Sequence, residues 1–88
     1  MAEERVSAYL VEIEPRGGTS EVGSIAARAR RSADDVRFLR SIYVPEDDRW
    51  FLLYEGASAA DVAAAAERAQ ADVVSIAEAR DVSREGLE

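Results

Sequence analysis

The chain has 88 residues, enough for one domain, and with 48% hydrophobic and 33% charged residues it has the composition of a folded globule. It contains neither cysteine nor histidine, which excludes disulfides, thiolate nucleophiles, zinc fingers, iron–sulfur clusters, imidazole bases and Ser-His-Asp triads. A net charge of −7 argues against nucleic acid as a partner, because phosphate binding needs a basic surface.

Met1 to Arg5 is charged and lacks the apolar stretch of a signal peptide, and no run approaches the ~18 apolar residues of a membrane span. A soluble cytoplasmic protein with no membrane partner is the expectation. All eleven basic residues are arginine and alanine is abundant, a codon bias of GC-rich bacterial genomes.

Residues 6–14 (VSAYLVEIE) are rich in β-formers and stop at Pro15, Gly17 and Gly18, which predicts a strand and a loop. Ser20 is the expected N-cap of a helix over about 20–33, with Glu21 in its first turn. Val22, Ile25, Ala26 and Ala29 recur at the spacing of one buried helix face. Arg28, Arg30 and Arg31 fall near the negative end of the helix dipole and read as a solvated helix end rather than an anion site.

Residues 36–44 (VRFLRSIYV) and 50–55 (WFLLYE) are aromatic and β-branched, and Pro45 to Arg49 between them is turn-like, which predicts an antiparallel hairpin. Glu46, Asp47 and Asp48 lack calcium-loop spacing, so the turn explains them. Gly56 ends the second strand. Ser58 with Asp61 matches a helix-capping pattern, and Val62, Ala65, Ala66 and Ala69 form the apolar stripe of a second helix. A last strand over about 73–78 (VVSIAE) precedes a polar tail, 80–88, expected to be loosely ordered.

The order β-α-β-β-α-β is the split βαβ of ferredoxin-like folds. We therefore expect a single α+β domain over 1–88 with its core in 6–79, a four-stranded antiparallel sheet, and two helices on one face. The first and third strands are placed at the centre, parallel to each other. Alternation puts Tyr9, Val11, Ile13, Trp50, Leu52 and Tyr54 on one side and Leu10, Glu12, Phe51, Leu53 and Glu55 on the other. Val36, Phe38, Ile42 and Val44 are expected on a single face, interrupted by Arg40. Both sides are apolar but two helices cover only one, so a homodimer of the α+β-barrel kind closing the other face is expected.

The candidate ligand-binding residues are Glu12, Arg40, Tyr54 and Glu55. Two neighbouring carboxylates repel, which raises one pKa or recruits a cation, and Arg40 is the natural neutraliser, held against a carboxylate. Hairpin register decides its neighbour. Pairing Pro45 with Trp50 sets Arg40 opposite Glu55, and pairing Val44 with Trp50 sets it opposite Tyr54.

The stretch VRFLRSIYVPEDDRWFLLYEG, with YLVE at 9–12 and AAERAQAD at 65–72, resembles a family of small bacterial ferredoxin-like proteins of unknown function that includes a dimeric nickel-binding protein. The resemblance covers roughly residues 8–79 and implies the fold and the dimer. Members often carry a histidine in the second helix, where this chain has Ala63 to Ala66, and a cysteine in the third strand, aligned with Leu52. No metal or cofactor is expected here.

These readings point to a non-enzymatic dimeric protein that binds a small-molecule ligand or acts as a sensor. The alternative is a cofactor-free monooxygenase or cyclase of the dimeric α+β-barrel type, using Tyr, Glu and Arg as acid, base and anchor. A purely structural interaction module is the third class. Imidazole and thiolate are the side chains that suit nickel, and neither is present. Calorimetric titration with nickel is expected to show no stoichiometric submicromolar site; finding one would overturn this reading.

Overall fold

In the computed structural model, which describes residues 6–31 and 36–79, the elements follow the expected order. They are β1 (Ser7–Ile13), α1 (Gly18–Arg31), β2 (Arg37–Val44), β3 (Arg49–Gly56), α2 (Ala59–Arg68) and β4 (Val73–Ala79). The predicted tail and the end of the first predicted helix lie outside the described residues. No described helix is long and apolar enough to cross a membrane.

The strands form one sheet in the order β2-β3-β1-β4, a ferredoxin-like α+β fold. Every pairing is antiparallel, which corrects the expectation that β1 and β3 run parallel. The correction follows from connectivity. The crossover through α1 makes β1 and β2 parallel, and the tight hairpin reverses β3 between them.

Alternation along β1 and β3 sends Val11, Leu52 and Tyr54 under the helices, each fully buried. They meet Val22, Ile25, Ala26 and Ala29 of α1, and Val62, Ala65 and Ala66 of α2 with Ala69 beyond it. Both helical stripes are the ones that sequence periodicity identifies. The α2 cap is also as expected, with the Asp61 N–H donating to Ser58 Oγ at 3.1 Å. Helix α1 differs. It starts at Gly18, two residues before Ser20, because the Gly18 N–H closes a turn on the Pro15 carbonyl and Gly18 takes φ +70°, open to glycine without strain. The Glu21 carboxylate accepts from the Gly17 N–H, so Glu21 rather than Ser20 satisfies the incoming backbone.

The three arginines of α1 are structural at two positions. Arg28 donates from Nε to the Ala69 carbonyl at 2.8 Å, tying α1 to the end of α2. The Arg30 guanidinium lies 5.3 Å from the centre of the Phe38 ring, a cation–π contact.

Gly56 is buried where the end of β3 meets both flanking elements. A Cβ there would lie 2.9 Å from Val36 Cγ1 and 3.1 Å from Val62 Cγ2. The approach of α2 to the sheet therefore requires glycine. Gly56→Ala is expected to lose about 1–3 kcal/mol in urea denaturation, the range for overpacking a tight core. A loss below ~0.5 kcal/mol, the scale of ordinary surface substitutions, would contradict this packing.

Candidate functional site

The sheet face away from the helices is built by register. One row crosses it as Arg37, Glu55, Ala8 and Ala79, the next as Arg40, Leu53, Leu10 and Ala77, and a third as Ile42, Phe51, Glu12 and Ser75. No described element packs on these side chains. Leu10, Ile42, Phe51 and Leu53 are only half-buried, shielded by their neighbours within the sheet.

The register of β2 matches neither of the two expected pairings. Val44 pairs with Arg49, so the turn has four residues, Pro45 to Asp48, and Arg49 belongs to the strand. Asp48 closes the turn in the left-handed region at φ 54°, a conformation that Asp tolerates, and its carboxylate accepts from the Tyr43 hydroxyl at 3.1 Å. Register then shifts between Phe38 and Arg40, where Leu39 is an extra residue. This bulge divides β2 between the two faces, correcting the single face assigned to it. Val36 and Phe38 enter the core under the helices, while Arg40, Ile42 and Val44 turn to the open side.

Arg40 consequently lies opposite Leu53, not Glu55 or Tyr54. It is exposed and forms no ion pair with a described carboxylate, which overturns the expectation that it is held against one. Its predicted partners are taken by other arginines. Arg37 reaches Glu55 at 3.8 Å, and Arg49 reaches Glu12 at 3.8 Å, where the Ser75 hydroxyl also donates to Glu12 at 3.4 Å. Glu12 and Glu55 do share the open face, as expected. They stand four residues apart along β1, about 13 Å, too far to form a carboxylate pair. Among the described residues, no three carboxylates converge to hold a metal ion.

Tyr54, the remaining candidate, is on the other side of the sheet. It is fully buried, with its ring edge-on to Phe38 at 5.5 Å between centres. Its hydroxyl has no hydrogen-bond partner among the described residues. Burial pushes the phenol above its ordinary range, with the charge of Arg68 drawing it partly back.

At the end of the sheet, a cleft of about 270 Å³ is bounded by Glu12, Glu14, Pro15, Asp48, Arg49, Trp50 and Val74. Arg49 and Trp50 were not among the candidates from sequence. Tyr43 stacks on Trp50 at 4.1 Å and braces that wall. The alternation of WFLLYE shows which way Trp50 points, but its place at the sheet end depends on the turn length.

The fold and this site thus define a ferredoxin-like α+β domain with one half-apolar sheet face and a polar cleft at its end. Compared with known proteins, the chain matches no family model, no curated protein and no solved structure.

The orphaned hydroxyl of Tyr54 has a measurable consequence. Its neutral form is favoured in the fold, so its contribution is present below pH ~10 and is lost as pH rises through and beyond that value. Tyr54→Phe keeps the ring contacts and removes an unsatisfied group. Urea titrations are expected to show unchanged or slightly greater stability at pH 7, by up to ~1 kcal/mol, and a shallower loss above pH ~10. A loss above ~1.5 kcal/mol at pH 7 would reveal a hydrogen bond to the hydroxyl.

Proposed function

We propose that the chain is a non-enzymatic, homodimeric binding module whose open sheet face closes against a second copy and whose sheet-end cleft receives a small polar ligand. The observation that carries this reading is the open face itself. Leu10, Ile42, Phe51 and Leu53 form a continuous apolar centre that water would otherwise cover. These side chains are already half-buried, so completing their burial gains about half of the roughly 1.5–3 kcal/mol that full burial gives each, or about 6–12 kcal/mol over two copies, on the scale of association costs of about 4–15 kcal/mol.

Charge distribution favours a second copy over a different partner. The chain carries −7, yet this face presents Arg37, Arg40 and Arg49 against only Glu12 and Glu55. Among the described residues, the strand side chains of this face carry no surplus of acid, so the face itself adds no acidic repulsion between two copies. Cytoplasmic residence and bacterial origin belong to the same reading.

The non-enzymatic part rests on separation. The phenol that would serve as acid or base lies beneath the helices, while Arg40 and both glutamates lie across the sheet from it. The four residues that the sequence offers for such chemistry, Glu12, Arg40, Tyr54 and Glu55, are thus not assembled at one point.

Light scattering at micromolar concentration is expected to give twice the chain mass. Leu53→Asp, which leaves the helix-covered core untouched, should give a monomer with the parent circular dichroism spectrum. A parent monomer, or a dimer indifferent to Leu53→Asp, would overturn the proposal.

A further inference from the structure

Resting on the homodimer reading above, we propose how the second copy sits: the two-fold axis runs along the strands, so that β2 of each copy covers β4 of the other.

The register carries the argument. Across each row of the open face, side-chain bulk falls from one edge strand to the other. Arg40, Leu53 and Leu10 end in Ala77, and Ile42 and Phe51 end, past Glu12, in Ser75. The face is therefore tall along β2 and β3 and shallow along β4. Sheets packed face to face with aligned strands have two simple two-fold settings.

In one setting the axis crosses the strands and β2 meets the partner's β2. With that axis on the central row, Arg40 confronts its own copy and Arg37 lies over the partner's Ile42, while the alanine edge confronts an alanine edge across sheets about 10 Å apart, leaving a void. Both effects oppose association. In the other setting the axis follows the strands. Arg40 then lies over the partner's Ala77 and Ile42 over the partner's Ser75, so the tall half of each face fills the shallow half of the other. The arginine stems run across small side chains with their charged heads at the sheet edge in water. Leu53 meets the partner's Leu10 at the centre, which keeps the most apolar row together.

The chain has no cysteine, so introduced thiols are the only ones present. Ile42→Cys and Ser75→Cys lie in one row, three strand spacings apart within a sheet, or about 14 Å. A bismaleimide shorter than that span links them only between copies. The double variant Ile42→Cys/Ser75→Cys is expected to give covalent dimer on denaturing gels, and each single variant to remain uncrosslinked. Self-crosslinking of Ile42→Cys alone would place β2 on β2 and overturn the arrangement. So would a double variant that is dimeric by light scattering yet is not crosslinked. A parent chain that is monomeric by light scattering would instead remove the homodimer on which the arrangement rests.

Discussion

Every pairing between β1 and β3 divides side chains between a face that meets helices and a face that does not, and the rest of the molecule depends on that division. Val11, Leu52 and Tyr54 take one side and are fully buried, while Leu10, Phe51 and Leu53 take the other. Two helices whose buried stripes are largely alanine come close to the sheet but cover it once. Helix α2 approaches near enough that Gly56 has no room for a side chain. The same close packing that completes one core leaves the second face without a cover of its own among the described residues.

Charge on that second face is arranged by the same register. Glu55 and Glu12 each stand at one end of the apolar centre with an arginine beside them, and these exposed pairs add little stability individually. Their effect is on the field. They neutralise the two carboxylates that flank the apolar centre, and they leave Arg40 beside Leu53 as a positive group at the edge of an apolar surface. Arginine suits that position because its stem is apolar and its head remains hydrated.

The features legible in the sequence were the ones encoded over short spacings. The helical stripes at Val22, Ile25, Ala26 and Ala29 and at Val62, Ala65, Ala66 and Ala69, the Ser58–Asp61 cap, and the glycine and proline breaks together yield the element order and so the fold class. The two faces of β1 and β3 followed from simple alternation. What was not legible depends on single-residue counts between strands. The turn runs over the four residues Pro45 to Asp48, closed by Asp48 in the left-handed region, and this sets Arg40 opposite Leu53 instead of Glu55 or Tyr54. The extra residue at Leu39 then moves half of β2 to the other face, and nothing in Phe38-Leu39-Arg40 marks a bulge. Glu12 and Glu55 were therefore assigned to the right surface but to the wrong partners, and the side of Arg40, left open between two registers, was decided by the turn. Tyr54 was a candidate because phenols do chemistry, although its position in the alternating strand already placed it with Leu52 in the core.

The two irregularities of the sheet share one property. The extra residue at Leu39 is in β2, and the register shift opposite Glu12 and Ile13 leaves Val74 unpaired in β4. These are the two outermost strands. A straight outer strand offers a continuous row of free amide and carbonyl groups on which further chains can stack without limit, and a bulge interrupts that row. Both open ends of the sheet are thus poor templates for fibril growth.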